Sequence, residues 1–227
     1  MPIPLQKVLE RLAHVITSIR SRRAAHFFIA WLRIAIGFAF LPAGLKKILG
    51  QPFTDPGSQG RFHEFLHAFH ATGFFYKFVG VVQLFGAALL IANIWPVLGV
   101  ITLLPVVFAI LIFCWSTAVY PTATVVTFIF CGLLLLLAWE IEMWTKFVPR
   151  IVSTRVTREK LTTRYWRFCG TAIIVLYFSD YVRRGSVYRP RHPDWNDLSF
   201  ILLVVMAVLP FLTMLREITR SKNNSSN

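Results

Sequence analysis

The sequence predicts an all-α protein, a polytopic membrane helical bundle with a four-span core and two additional C-terminal spans. Three observations carry that expectation. Stretches at about 27–48, 78–95, 97–118 and 123–144 are almost wholly apolar on every side, and crossing a hydrocarbon core ~30 Å thick takes ~20 such residues. No charge occurs between Val97 and Ala118 or between Thr122 and Trp139. Composition agrees: 56% of the residues are hydrophobic, with 21 Phe and 7 Trp, and only 15% are charged.

The formal charge of +14 raises nucleic acid as a partner. The basic clusters, however, flank apolar spans and accompany no binding motif, so they read as membrane topology and contacts with anionic headgroups. No nucleic-acid partner is expected.

Residues 1–25 contain no apolar core of a cleavable signal. Leu5, Val8, Leu9, Leu12, Ile16 and Ile19 recur at helical spacing, opposite Lys7, Glu10, Arg11 and His14. That pattern predicts an amphipathic helix lying on the membrane surface. Residues 26–145 form the four-span core. Within it, the connection at 49–77 begins with the turn chemistry of Gly50–Gly57 and continues as an outer interfacial helix at about 61–71. Residues 146–167 are a basic cytoplasmic linker holding seven Lys and Arg. Two further membrane helices occupy 168–216, and 217–227 is a polar tail expected to be disordered. The run at 168–181 is short and carries Asp180, so an interfacial or buried helix is the alternative to a fifth span.

Counting Lys and Arg beside the spans sets the orientation. With the N-terminus cytoplasmic, fifteen basic residues lie inside and eight outside. Both ends are therefore expected in the cytoplasm, in the cell's inner membrane.

Intramembrane polar groups default to pairing or function because lipid solvates them poorly. Arg33 lies about two turns into the first span, and Glu140 about one turn from the cytoplasmic end of the fourth. At 1.5 Å per residue their depths match, which suggests an ion pair between Arg33 and Glu140. Snorkelling of Arg33 to lipid phosphate and a proton or substrate pathway are the alternatives. At the opposite edge Lys46, Lys47, Lys77 and Gln83 form a candidate anion-attracting outer mouth, or a set of ordinary snorkelling anchors.

His63, His67 and His70 share one stripe of the 61–71 helix, beside Phe62, Phe65, Leu66 and Phe69. Imidazoles at that spacing can converge on a metal ion. Alternatively they face headgroups, and with no partner on another outer loop no metal is expected. Cys114, Cys131 and Cys169 are solitary and set in apolar runs, unlike a dithiol redox pair. The only His near a span is His26, at its edge, which argues against a haem subunit.

Arg33-Ile-Ala-Ile-Gly-Phe-Ala-Phe-Leu-Pro-Ala-Gly-Leu-Lys-Lys47 resembles the first-span signature of DoxX-like membrane proteins. Ala71-Thr-Gly-Phe-Phe-Tyr-Lys-Phe-Val-Gly-Val-Val-Gln83 is similar to the entry to that family's second span, and Leu98–Pro105 to its third. The likeness covers about residues 27–144; the N-terminal helix and everything after Trp144 lie outside it. It implies a four-helix membrane core and a role as an auxiliary subunit of a quinone-linked oxidoreductase complex. Such a subunit has no redox centre of its own and no tightly bound cofactor, with quinone as the associated one. The alternative is a non-catalytic membrane binding or assembly protein that stabilises partner membrane proteins. Either way, catalysis by the isolated chain is not expected, and the catalytic residues are unassigned.

Overall fold

The computed structural model describes residues 19, 22–55, 57–140, 163–188 and 194–225. The expected surface helix at 1–25 and the basic linker at 146–167 fall largely outside them. Seven helices follow in order: α1 (Arg23–Ile48), α2 (Arg61–Ala71), α3 (Phe74–Ile91), α4 (Pro96–Ser116), α5 (Tyr120–Trp139), α6 (Thr163–Arg184) and α7 (Leu198–Ser225). No strand occurs among the described residues. Five of these helices, α1, α3, α4, α5 and α7, are long and apolar enough to cross a membrane. The chain is a multi-pass membrane protein of the helical-bundle class.

The second span starts and stops four residues earlier than its apolar pattern suggests. Asn93 and Trp95 both adopt left-handed backbone angles, each with φ of 52°, which ends α3 at Ile91. Pro96 then opens α4 where its missing N–H is not needed. At the chain's end the expected disordered tail is instead helical through Ser225. Contacts to α6 hold this extension: Trp166 Nε1 donates to Glu217 Oε2 at 2.8 Å, and Arg220 stands over the Tyr165 ring.

Glycine fixes the closest seam. A β-carbon at Gly80 would lie 2.8 Å from the Gly44 carbonyl oxygen, and one at Gly44 would lie 3.0 Å from the Gly80 carbonyl. The backbones of α1 and α3 therefore meet directly, as small residues allow in membranes. Gly86 and Gly99 make a similar approach between α3 and α4. Leu41, Ala87, Leu90, Ile91, Leu103, Val107 and Leu133 fill the interior completely. The outer surface is apolar as well, with Phe108, Val125 and Phe128 exposed. A helix apolar on both faces belongs in lipid.

α6 runs beside α1 in the same direction. Phe27 meets Trp166 with ring centroids 6.2 Å apart, and Phe38 meets Tyr177 at 6.0 Å, so the partners keep one offset over eleven residues. Gly170 lets α6 press on the end of α3, where any β-carbon would overlap the Ile91 carbonyl. The start of α1, the start of α6 and the C-terminal part of α7 consequently gather at one end of the bundle.

Candidate functional site

Polar groups concentrate at the two ends of the bundle. At the end where α1 begins, Arg33 Nη2 donates to Glu140 Oε1 at 2.6 Å, with both side chains 11% exposed. Arg33 Nη1 donates to Asn93 Oδ1 at 2.5 Å. One guanidinium thus joins α1, the turn between α3 and α4, and the end of α5. Glu140 follows the last residue of α5, and Asn93 adopts the left-handed conformation that its short polar side chain tolerates. Charge-assisted hydrogen bonds of this kind are about twice as strong as neutral ones. His26 approaches Trp139 edge-on, at 5.2 Å between ring centroids, beside the pair. Asn93 had no signal in the sequence as a partner, because a polar residue between two spans reads as turn chemistry.

At the other end, the four residues of the candidate mouth divide. Lys77 is exposed, its Cε 3.5 Å from where a β-carbon of Gly50 would stand. Lys46 Nζ donates to the Pro52 carbonyl at 3.3 Å. Lys47 and Gln83 are interior instead, only 7% and 1% exposed, on the facing surfaces of α1 and α3. Lys47 Nζ donates to the Ala43 carbonyl at 3.3 Å and lies 4.6 Å from the Phe53 ring centroid and 5.9 Å from that of Tyr76. No carboxylate pairs with it among the described residues. Gln83 Oε1 is buried without a hydrogen-bond partner, and such an acceptor is costly to leave unsatisfied.

The loop above Lys47 is fastened carbonyl by carbonyl. Gly50 O faces His70 Nε2 at 2.9 Å, Gln51 O accepts from Tyr76 Oη at 2.8 Å, and Pro52 O accepts from Lys46. Phe53, next in line, covers the Lys47 ammonium. Three helices therefore hold one segment down over a buried cation. The seam carried a sequence signal for this arrangement: Gly37, Gly44 and Lys47 share one face of α1, while Tyr76, Gly80 and Gln83 share one face of α3.

α2 caps this end through its aromatic side. Phe65 stands 4.3 Å and Phe62 5.2 Å from the Phe113 ring of α4, centroid to centroid, and Phe69 packs on Tyr76 at 5.0 Å. The phenylalanines thus grip the ends of α3 and α4. His63 Nδ1 and His67 Nε2 are buried and without hydrogen-bond partners, and His70 is engaged by Gly50. No group of three or more His, Cys, Asp or Glu side chains suited to a metal ion occurs among the described residues. Cys114 and Cys169 are buried and Cys131 is exposed, all as free thiols.

A third polar cluster ties the hairpin of α6 and α7. Asp180, buried in the bundle, accepts from Arg183 Nη2 at 2.7 Å and from Ser199 Oγ. Arg184 pairs with Asp197 and also donates to Ser199. This is how α6 accommodates an acid near its end.

Comparison of the chain with protein-family models, with curated proteins and with solved structures finds no match.

Proposed function

We propose that this protein is an auxiliary membrane subunit of a quinone-linked oxidoreductase complex, contributing a binding site for an anionic group rather than a redox centre. The observation that carries this reading is Lys47. A cation 7% exposed, with no carboxylate beside it among the described residues, is expensive unless something else compensates it. An anion arriving at the outer end of α1 supplies that compensation, and Lys46 and Lys77 at the rim raise its local concentration. Gln83, with an unsatisfied acceptor one turn from Gly80, adds a contact for a hydroxyl or N–H group of the same ligand. The sequence resemblance over residues 27–144 supports quinone as the associated cofactor.

A second reading is a non-catalytic assembly protein of the inner membrane. The observation favouring it is the outward face of α5, where Phe128 is 74% exposed beside Val125 and Leu135. That face suits a neighbouring membrane helix as well as lipid. In both readings the N- and C-termini are cytoplasmic.

Purification in mild detergent, with mass spectrometry of proteins and small molecules, separates the two. The first reading expects a co-purifying cofactor-bearing subunit, quinone-dependent turnover, and loss of turnover in Lys47→Gln. Partner proteins without turnover establish the second, and a chain purified alone and without a small molecule removes both.

A further inference from the structure

The end of the bundle away from Lys47 carries a different arrangement. Arg216 and Arg220 lie one turn apart on α7, their guanidinium carbons 4.9 and 5.9 Å from the centroid of the Tyr165 ring of α6. Arg220 Nη1 also donates to Tyr165 Oη at 3.3 Å. Arg164 is the neighbour of Tyr165 on α6 and is exposed, as are Arg216 and Arg220. None of the three pairs with a carboxylate among the described residues. Glu217, the acid in their midst, already accepts from Trp166 Nε1.

The apolar surface continues directly below. Phe168, one turn from Arg164, is 75% exposed, and Leu212, one turn from Arg216, is exposed as well. Uncompensated guanidiniums above exposed apolar side chains on two adjoining helices complement an amphiphile with an anionic head. Guanidinium forks bind phosphate in bidentate fashion, and stacking on Tyr165 restricts the freedom of two of them before a ligand arrives.

We infer that Arg216 and Arg220, ordered on the Tyr165 ring, together with Arg164 beside it in the chain, bind the headgroup phosphate of one anionic phospholipid whose acyl chains lie along Phe168 and Leu212. The site is independent of the Lys47 end and of the oxidoreductase reading. Basic residues near a membrane surface each contribute ~1 kcal/mol toward anionic lipid, so losing two corresponds to about thirtyfold.

The test is native mass spectrometry of the delipidated full-length chain titrated with phosphatidylglycerol or with phosphatidylcholine of identical acyl chains. One phosphatidylglycerol should bind in preference. Arg216→Gln with Arg220→Gln should weaken that adduct about thirtyfold while leaving the phosphatidylcholine adduct unchanged. Arg61→Gln removes a charge from the opposite end, outside the Lys47 site, and should leave the preference intact. Far-ultraviolet circular dichroism checks folding, and Arg216→Lys with Arg220→Lys, which keeps charge but loses the fork, should bind at an intermediate level. Equal affinity for both lipids, equal loss in the two charge-removal variants, or displacement of the lipid by glycerol 3-phosphate would overturn the assignment.

Discussion

Arg33 and Glu140, 107 residues apart in the chain, meet through a 2.6 Å ion pair that closes α1 against the end of α5. Asn93 takes a second arm of the same guanidinium, so the pair also fixes the turn between α3 and α4. The packing around this joint is largely apolar, and dispersion contacts carry little directional information. A directional polar joint supplies the register that such packing leaves loose.

Breaking this joint should be measurable. Loss of one partner of a buried pair commonly costs ~3–5 kcal/mol, and a site near the headgroups belongs at or below the lower end. Arg33→Leu and Glu140→Gln should each lower the unfolding temperature in detergent, and the double variant should lose less than the sum of the two. Asn93→Gly, which keeps the left-handed turn but removes the amide, should cost ~1.5–3 kcal/mol, the value of a hydrogen bond to a charged group. Strict additivity of Arg33→Leu and Glu140→Gln would mean that the pair contributes no coupling.

The spans were legible because hydrocarbon demands apolar side chains all round, a demand that writes itself into composition. Arg33 and Glu140 were legible for the converse reason, since charges at matching depth in lipid need partners. Other parts of the sites were not. Lys46 and Lys47 are adjacent in sequence but 100° apart around a helix, so one reaches the loop while the other enters the seam. The aromatic stripe of α2 fits a lipid surface or a protein surface equally well, and the positions of Phe113 and Tyr76 decide. Glu217 and Arg220 sit in a segment of tail-like composition, yet both are held by α6 side chains, which carries α7 past its apolar run.

The glycine seam gives a steric prediction. Gly80→Ala places a methyl 2.8 Å from the Gly44 carbonyl and 2.7 Å from Lys47 Cβ, so α1 and α3 must separate. Overpacking of this kind typically costs ~1–3 kcal/mol. Gly57→Ala, with nothing within 4 Å, should leave thermal unfolding unchanged. Equal stability of the two variants would show that the helices relax without penalty.

His70 should act through the loop and not through a metal. His70→Ala frees the Gly50 carbonyl, so amide hydrogen exchange should accelerate across residues 50–53 while α3 stays protected. His63→Gln with His67→Gln should leave that exchange unchanged. A stoichiometric metal in the wild-type chain, lost when all three histidines are replaced by Gln, would contradict this picture.

Asp197 adds a pH dependence at the hairpin of α6 and α7. The hydrogen bond from Arg184 holds its carboxyl below the ordinary value of 3.8. A depressed folded-state value means that its stabilising contribution is complete above the unfolded value and disappears as pH falls through the folded one. In thermal unfolding from pH 6 down to pH 3, wild type should therefore lose a stability advantage over Asp197→Asn at the acid end. A constant difference across that range would mean that the Arg184 contact does not couple to protonation.

The course of α6 decides the topology. Its apolar centre is bounded by Arg164 and Arg167 at one end and by Arg183 and Arg184 at the other, which keeps it outside the set of five helices apolar enough to span. Yet it keeps one offset against α1 from Trp166 to Tyr177, and the one acid of the helix, Asp180, is neutralised within the hairpin by Arg183. A helix parallel to a spanning helix, with its charges at the ends, is expected to cross alongside it, giving six crossings. Single cysteines at Gly57, Tyr188 and Ala24, in a background with Cys114, Cys131 and Cys169 replaced by Ser, can be labelled in intact cells with an impermeant maleimide. Residues 57 and 188 should react from outside, and residue 24 only after the membrane is opened. Labelling of 188 only after opening, with 57 still reacting outside, would leave α6 on the cytoplasmic side and reduce the count to five. Reaction of 24 from outside, with 57 and 188 protected, would keep six crossings and reverse the orientation that the basic residues predict.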